Sequence, residues 1–530
     1  MEIPLRALVN RPGRAGRRRG APVRAGLVAG IAALVLYAAT GARDVEWQDP
    51  GIHQYRILAG QLEHPLGLAL SHPLHYGVGR AALAVPLGDP VWRLNLLSGL
   101  FGAVGVGLVT GLVVRLTRNL LAGGLTAATL ALAHAYWQMA ALTETYTLAA
   151  ALMTLEWVLL WRHVRTGRAG WLAAVFAVNG LHVADHLLGL LTLVTYTGLL
   201  VARVARRRIR PAWILAAAGL WLVTASPYWS LVLGHGHRTG AWGETVRSAL
   251  FGGGGGEPGW QGQVLNVRLS AAQLKLAVLS FGYCFPSAAG LAALVGALRP
   301  VRRPWRAFRV VLLVQTAIVL AFVARYPIAD LYTYFVPVCA LTALWFGLGA
   351  GWLLRRWADA QARRRVAAAL VLNALLPLVV YLVFPVVAQQ RGWMRERLRD
   401  IPYRNEYFSF FRPWRFLDDS APRLARDAIE WAGTNGWIIG DSTTAYPMAV
   451  TYLLHGGPVG VRVYSGRTCL TERDRPPWTA AELGGQVAAG GTVLVVPAAH
   501  TEALFHAPLR VEKSSPLWRV GLAADTPGER

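Results

Sequence analysis

The sequence has little charge and few cysteines, and each shortage excludes a class of protein. Charged residues make up 15% of the 530 residues, against the ~25% that is usual for soluble domains. Hydrophobic residues make up 54%, and the mean hydropathy is +0.38. These values exclude a disordered chain and disfavour a soluble enzyme. The three cysteines are too few for a disulfide scaffold.

Lysine is almost absent, so the large positive charge comes from arginine. The chain has 53 basic and 28 acidic residues and a net charge of +25, yet only Lys275 and Lys513 are lysines. A charge of this size is typical of nucleic-acid-binding proteins. Long apolar runs are not presented to a polyanion, however, so we expect no nucleic-acid partner.

Apolar runs of about 20 residues predict a polytopic α-helical membrane protein with about eleven transmembrane helices. The predicted helices are 23–41, 96–116, 120–142, 143–161, 170–185, 187–204, 212–233, 271–298, 307–325, 331–354 and 366–389. The stretch 170–204 is divided in two because polar residues in its middle, His182, Asp185 and His186, are costly inside a bilayer.

The arginines predict the orientation of these helices. The N-terminus and five alternate loops together hold 27 of the 53 basic residues, which is the positive-inside pattern. Residues 1–22 are therefore predicted to be a basic cytoplasmic N-terminus, followed by a transmembrane domain over 23–389. The outward loops are 42–95 and 234–270. We expect a multi-pass protein of the cytoplasmic (inner) membrane of a bacterium, in contact with membrane lipid.

The tail, residues 390–530, has a different composition, with more charge, more turns and short strands. Strand-like runs at 437–441, 459–464 and 492–497 alternate with helix-like runs at 421–433, 444–454 and 480–489. This alternation predicts a small extracytoplasmic α/β domain. The tail has no GxGxxG or P-loop pattern, so we assign it no nucleotide.

The first outward loop is rich in carboxylates and histidines. Asp44, Glu46 and Asp49 fall within six residues. They are either solvated charges of a loop or a site in which one of them acts as a general base or metal ligand. The loop also has four histidines, whose spacing matches no standard zinc site. These are His53, His64, His72 and His75. We therefore assign no metal, leave the cofactor unknown, and keep phosphate or sugar binding and structural His-Pro turns as alternatives.

Several short motifs, in this order, resemble the protein O-mannosyltransferase-like family (glycosyltransferase family 117, the former domain-of-unknown-function 2723 group) of the GT-C superfamily. The similarity covers roughly residues 25–200 well and the later helices loosely. The motifs are Trp-x-Asp-x-Gly at 47–51, His-Pro-x-Gly at 64–67, Asp-Pro-Val-Trp-Arg-Leu-Asn-Leu-Leu-Ser at 89–98, Thr-Glu-Thr-Tyr-Thr-Leu at 143–148, Gly-Leu-His-Val-Ala-Asp-His at 180–186 and Asp-Leu-Tyr-Thr-Tyr-Phe-Val-Pro at 330–337.

The resemblance implies a GT-C-like fold and a membrane glycosyltransferase that takes a sugar from a polyprenyl-phosphate donor. It also implies a direct displacement, as in the superfamily, that inverts the anomeric centre. It implies that Asp49 is the general base. The family pattern resembles Asp-Ser-Gly-Glu, whereas this chain has Asp-Pro-Gly-Ile at 49–52. Because the second carboxylate is missing there, Glu46 is our candidate to replace it.

Arg93, which lies inside the most specific motif, is our first candidate for the donor phosphate, with an anchor at a helix end as the alternative. Arg56, Arg238, Arg268 and Arg325 are further outward arginines. The other predicted donor- or substrate-binding residues lie near outward turns of the predicted topology. They are His64, Glu144, Tyr146, Asp185, His186 and Asp330. For each of these residues the alternative is a purely structural role, in which its side chain pairs with another group within the helix bundle.

The sequence thus predicts transfer of a sugar to an extracytoplasmic acceptor, whose identity as protein, glycan or lipid stays open. A transporter or lipid flippase is the alternative from another class, although it would show internal repeats and polar residues near the bilayer midplane. A catalytically degenerate family member that acts as a binding protein is the third reading.

Overall fold

The computed structural model describes residues 12–253, 259–299, 305–328, 330–357, 359–395, 401–496, 509–514 and 517–522. Residues 1–11 of the predicted cytoplasmic N-terminus lie outside this part of the chain. The N-terminal three quarters of the described chain are helical, and a β-sheet occurs only towards the C-terminus.

Helices account for every described element up to residue 411. They are α1 (Pro12–Thr40), α2 (Asp49–Ala59), α3 (Pro73–Leu83), α4 (Pro90–Thr117), α5 (Leu120–Ala131), α6 (His134–Ala140), α7 (Tyr146–Thr166), α8 (Ala169–Asp185), α9 (Gly189–Ala205), α10 (Ala212–Thr224), α11 (Ser226–Thr239), α12 (Trp242–Phe251), α13 (Gln261–Val264), α14 (Ala271–Cys284), α15 (Ala289–Leu298), α16 (Arg306–Arg325), α17 (Val336–Arg356), α18 (Ala360–Gln390) and α19 (Glu406–Phe411). Short 3-10 helices span Leu68–Leu70 and Leu331–Phe335.

Each predicted apolar segment coincides with one helix or with a bent pair of helices. Of the described helices, five are long and apolar enough to cross a membrane, and up to eight if each of the bent pairs α5–α6, α10–α11 and α14–α15 is one span. The helices α7, α8 and α9 fall short of that test by length or polar content. The chain is therefore a multi-pass helical membrane protein, and eleven crossings stay a prediction.

Small residues let α1 and α4 pack closely. A Cβ atom on Gly26 would lie 2.7 Å from the carbonyl oxygen of Gly107, and one on Gly107 would lie 2.8 Å from the carbonyl oxygen of Gly26. Such glycine pairs bring helix backbones together, which strengthens packing between helices in lipid. The first predicted helix is thereby fixed against the helix that follows the loop 42–95.

Glu156 on α7 joins α7, α8 and α9 through a buried polar network. Its Oε1 atom accepts from Asn179 Nδ2 and lies within 3.1 Å of His182 Nδ1. Its Oε2 atom accepts from Thr192 Oγ1 at 3.1 Å and from Tyr196 Oη at 2.9 Å. The carboxylate is fully buried, so these four partners satisfy a group that would otherwise be costly inside the bundle.

Besides α19, the tail contains three helices and a six-stranded mixed sheet in the described residues. The elements are α20 (Ser420–Ala432), β1 (Trp437–Gly440), α21 (Ala445–His455), β2 (Arg462–Ser465), β3 (Thr468–Cys469), α22 (Ala480–Ala488), β4 (Val493–Val495), β5 (Leu509–Ser514) and β6 (Leu517–Leu522). The strand order is β3-β2-β1-β4-β6-β5. Only the pairs β1–β2 and β1–β4 are parallel.

The strand and helix runs recognised in the tail sequence lie on β1, β2, β4 and α20–α22, whereas β3, β5 and β6 were not predicted. Trp437 pairs with Arg462 on one side and Val493 on the other, so β1 is central. Where the connections from two neighbouring parallel strands lead in opposite directions, a crevice forms outside the carboxyl ends of those strands. From that end of β1 the chain continues into α21, and between the two elements Thr443 contacts Gln48, next to the start of α2.

The tail packs on α2 through three hydrogen bonds from the segment 47–55. Gln48 N–H donates to the carbonyl of Thr443 at 3.2 Å. Trp47 Nε1 donates to Ser420 Oγ at 2.9 Å, and Tyr55 Oη donates to the carbonyl of Leu470 at 2.7 Å. Within the loop 42–95, α2 therefore lies against the C-terminal sheet domain.

Candidate active site

Helix α2 presents three chemically active side chains along one face. Asp49, His53 and Arg56 occupy positions i, i+4 and i+7, which share one face of an α-helix. The helix begins at Asp49 because Gln48 has a positive φ of 59° and Pro50 stands in the first turn. This N-terminus lies directly after the carboxylate-rich segment that the sequence singled out.

Asp49, at the start of α2, is open to solvent. Asp49 itself is exposed, but protein atoms surround it, and this crowding together with the negative charge of Asp330 raises its pKa to about 7. A carboxyl that titrates near neutral pH and can be reached by water has the properties of a general base.

Asp49, Glu144 and Asp330 form a carboxylate cluster. Glu144 lies in the turn before α7 and is 3% exposed. Burial, and after it the charge of Asp49, raises the pKa of Glu144 well above its usual value, with a smaller contribution from Asp330. Like charges held this close favour protonation of one member, so the cluster can hold a proton beside Asp49.

Glu46 does not take the place predicted for it beside Asp49. Burial and then the charge of Asp418 raise its pKa to about 8, against the lowering effect of Arg415 and Arg404, so its charged neighbours are in the segment 404–418. The chain turns at Gln48, which sends the side chains before and after it in different directions. Glu144, 95 positions after Asp49 in the chain, is the second carboxylate that the fold brings to Asp49.

Arg56 is a buried cation that forms no ion pair among the described residues. It is 1% exposed, none of its three guanidinium nitrogens makes a hydrogen bond of regular geometry in that part of the chain, and the Tyr76 hydroxyl is close enough to interact with it. Its guanidinium lies 5.0 Å from the centre of the Tyr76 ring, a cation–π contact. A buried, unsatisfied charge is costly, so this geometry indicates a place for an anion that is bound only during function.

Three histidines surround the middle of the α2 face. The ring of His53 lies 5.5 Å from that of His72 and 5.8 Å from that of His75. His53 Nδ1 is 3.1 Å from the hydroxyl of Tyr76, and its Nε2 is 3.8 Å from Glu144 Oε2. His53 therefore stands between the carboxylate cluster and Arg56.

Burial keeps these imidazoles in the neutral form. It lowers the pKa of His72 to about 4 and that of His75 to about 3. The pKa of His53 is also well below its usual value, first through burial and then through His72 and His75. Within the described residues, no group of three or more His, Cys, Asp or Glu side chains has the geometry to hold a metal ion.

Tyr146, Asp185 and His186, which the sequence analysis placed near outward turns, lie next to His72. The ring of His186 lies 5.0 Å from that of Tyr146 and 5.1 Å from that of His72. His72 Nδ1–H donates to the carbonyl of Asp185 at 2.6 Å. The Asp185 side chain is fully buried, and neither carboxylate oxygen has a hydrogen-bond partner among the described residues.

Asp330 reaches the cluster from the segment before α17. It directly precedes the 3-10 helix Leu331–Phe335, in which Thr333 Oγ1 donates to the hydroxyl of Tyr146 at 3.1 Å. The ring of Tyr334 lies 5.6 Å from the ring of Tyr146. These contacts hold the 3-10 helix Leu331–Phe335 against Tyr146, at the start of α7.

Arg93 and His64 have structural partners instead. Arg93 donates to the carbonyls of Ala82 and Leu83 and also contacts the carbonyl of Val85, at the end of α3. This is the helix-end anchor that the sequence left open as the alternative. His64 Nδ1 accepts from Leu66 N–H at 3.1 Å within its own turn.

The sequence analysis gave Arg56 only as a further outward arginine, kept phosphate or sugar binding by His53 and His75 as one alternative, and did not single out Tyr76. A helical reading of 49–59 would have placed Asp49, His53 and Arg56 on one face, and that periodicity was the available signal. The burial of Arg56 and its lack of an ion-pair partner among the described residues, in contrast, follow only from the fold.

Comparisons with known proteins agree with this architecture. The family described as protein O-mannosyl-transferase TMEM260 N-terminal domain matches residues 58–209. ArnT from Cupriavidus metallidurans bound to undecaprenyl phosphate has a TM-score of 0.53 at 14% identity, over 95% of this chain and 98% of that chain. The apo state of ArnT has a TM-score of 0.55 at 16% identity, over 94% and 98%.

These similarities confirm the resemblance drawn from the motifs and place the described chain on an ArnT-like, GT-C fold. The matched segment contains α3–α9 and the end of α2, and thus Tyr76, Glu144 and Asp185. Residues 58–209 are therefore similar to the protein O-mannosyl-transferase TMEM260 N-terminal domain family, and the described chain has a fold like that of ArnT.

Proposed function

We propose that this protein is a membrane glycosyltransferase that moves a sugar from a polyprenyl-phosphate donor to a hydroxyl group outside the cytoplasm. The observation that carries the proposal is the arrangement along α2, where a solvent-accessible carboxyl and a buried, unpaired guanidinium lie two turns apart on one face. Sugar transfer from such a donor needs a base at the acceptor and a cation at the leaving phosphate.

Arg56 is the proposed phosphate-binding residue. Its planar guanidinium can offer aligned N–H donors to phosphate oxygens, and its contact with Tyr76 leaves its edge available. A bound phosphate would supply the partner that the buried charge lacks. The complex of ArnT with undecaprenyl phosphate supports a lipid phosphate as the ligand class on this fold.

Asp49 is the proposed general base. As the acceptor oxygen forms its bond to the anomeric carbon, its proton passes to the Asp49 carboxylate. The bond from that carbon to the phosphate oxygen breaks, and its electron pair stays on the phosphate. A direct displacement of this kind inverts the anomeric centre. Because Asp49 is open to solvent, a hydroxyl-bearing acceptor can approach it without passing the lipid side.

Asp185, Tyr146 and His186 are the proposed sugar-binding residues. An unpaired buried carboxylate beside aromatic rings offers two acceptors for sugar hydroxyls and a face for the sugar ring. In this arrangement the polar groups gather near α2 and α3, at one end of the bundle. A transporter is expected to place them near the bilayer midplane instead, so the enzyme is favoured.

The test is incubation of the purified protein in nanodiscs with a panel of polyprenyl-phosphate sugars. We expect release of polyprenyl phosphate from at least one donor, through transfer to an added membrane extract or through slow hydrolysis. The same protein with Asp49→Asn is the control. Absence of turnover and of donor binding across the panel would contradict the proposal.

A further inference from the structure

Two unpaired polar groups near Tyr76 indicate that the phosphate site contains more than Arg56. His75, on α3, is 1% exposed, and neither of its ring nitrogens has a hydrogen-bond partner among the described residues. Its ring lies 6.1 Å from that of Tyr76, which Arg56 also contacts. Buried polar groups are normally satisfied, so His75, like Arg56, faces a place for a ligand.

His53 joins these two groups to the carboxylate cluster. Its ring contacts those of His75 and Tyr76, at 5.8 and 5.7 Å. Its Nε2 atom points towards Glu144, on the Asp49 side. A change of charge at the phosphate therefore changes the electrostatic potential at His53 and His75 strongly, because the distances are short and little solvent lies between the groups.

The leaving group changes its charge during the proposed reaction. In the donor the phosphate is a diester with one negative charge. After the sugar has left it is a monoester, with a charge approaching −2 above its second pKa of about 6. Arg56 supplies only one positive charge, so the product state has one negative charge more than the cations beside it.

Resting on the proposed function, we propose that His53 and His75 complete the phosphate site and that one of them takes up a proton when the polyprenyl phosphate monoester is bound. The proton balance is closed by solvent. The acceptor proton leaves through Asp49, and one proton from water protonates an imidazole. His75 contacts the phosphate, whereas the ring nitrogens of His53 face Tyr76 and Glu144, so His53 responds to the phosphate charge at short range. The neutral imidazoles suit the singly charged donor.

The charged and titratable neighbours of this pair come from four parts of the chain. They are Asp49 and Arg56 on α2, His72 and Tyr76 at α3, His64 in the preceding loop, and Glu144 in the turn before α7. Without a ligand, the neighbouring cation and imidazoles and the burial oppose protonation of His53. A doubly charged phosphate would reverse that balance.

The test is calorimetric titration of the full-length protein in detergent with farnesyl phosphate, a soluble polyprenyl phosphate. Measurements at pH 8 in two buffers of different ionisation enthalpy report the protons exchanged on binding. We expect net uptake of up to one proton, and an affinity that rises up to about tenfold for each unit of falling pH. Phosphorus NMR of the bound ligand separates a protonated phosphate from a protonated imidazole.

His53→Asn and His75→Asn should each reduce the proton uptake, flatten the pH dependence and weaken binding at pH 8, without abolishing it because Arg56 remains. His455→Asn, at an exposed position of α21, is the matched control and should leave both quantities unchanged. Binding without proton uptake in the unaltered protein would overturn this inference and leave the proposed function standing. Failure of farnesyl phosphate to bind at any pH would overturn the proposed function itself.

Discussion

The hydroxyl of Tyr55 donates a 2.7 Å hydrogen bond to the carbonyl of Leu470, which lies 415 positions later in the chain. Tyr55 also packs its ring against Tyr446 at 5.3 Å. The residue immediately after it, Arg56, faces the bundle. Helix α2 is therefore held by the C-terminal sheet on one side while its other side presents Asp49, His53 and Arg56. The tail is part of what positions the candidate active site.

Asp49→Asn should abolish sugar transfer, because an amide cannot accept the acceptor proton. A general base contributes about 10²–10⁴-fold, and we expect a loss within that range, measured as product formed per mole of protein in nanodiscs. Asp44→Asn, five residues earlier at a partly exposed position, should retain activity. Turnover by the Asp49 variant at the rate of the unaltered protein would remove Asp49 from the mechanism.

The pH dependence of transfer should report the ionisation of Asp49. Since the base must be deprotonated, kcat/KM should rise with pH and level off above about 7, the value to which crowding and Asp330 raise the pKa of Asp49. Asp330→Asn removes a neighbouring negative charge, so it should lower that pKa and move the acidic limb to lower pH. A limb that stays in place or moves to higher pH would contradict the carboxylate cluster.

Arg56→Gln and Arg93→Gln should have different effects, although both remove a guanidinium. Removing one partner of a buried charge pair costs about 2–5 kcal/mol, so we expect Arg56→Gln to weaken farnesyl phosphate binding by about 30-fold or more. Arg93 binds carbonyls at the end of α3, so its loss should lower thermal stability and leave phosphate affinity largely intact. Equal loss of affinity in both variants would contradict the assignment.

Gly51→Ala tests whether the start of α2 must stay in place. A Cβ atom there would collide with the carbonyl oxygen of Glu46 and lie 3.2 Å from the ring of Pro447. Overpacking costs about 1–3 kcal/mol, and a displacement near 1 Å can reduce catalysis about 10²-fold. We expect a lower melting temperature and slower transfer.

Gly77→Ala is the matched control for that substitution. A Cβ atom on Gly77, in α3, would meet nothing within 4 Å, and alanine favours an exposed helix by up to about 1 kcal/mol. Stability should be kept or improved, with transfer unchanged. If Gly51→Ala behaves in the same way, the position of Asp49 does not depend on this contact.

The predicted orientation can be tested by cysteine labelling in a variant that lacks Cys284, Cys339 and Cys469. Val459→Cys, at a 78% exposed position before β2, should react with a membrane-impermeant maleimide in intact cells. The exposed Arg207→Cys, in the basic loop after α9, should react only after permeabilisation. The reverse pattern would place the candidate active site in the cytoplasm.

Hydropathy and charge were sufficient to locate the helices, because a bilayer requires long apolar segments and arginines mark one side of it. They were not sufficient for the site. Glu46 and Glu144 are both acidic residues near predicted helix ends, and only the turn at Gln48 decides which one reaches Asp49. Arg93 has backbone carbonyls within hydrogen-bond distance, whereas Arg56 has none among the described residues. This difference depends on how the end of α3 packs against α4.

The Glu156 network has a consequence for how the chain is made. A charged side chain at the centre of a lone helix costs about 2.5–3.5 kcal/mol during insertion through the translocon. The groups that compensate Glu156 lie on α8 and α9, which the ribosome makes afterwards. We therefore expect α7 to stay beside the translocon until α8 and α9 have been made, and the three helices to enter the bilayer as one unit.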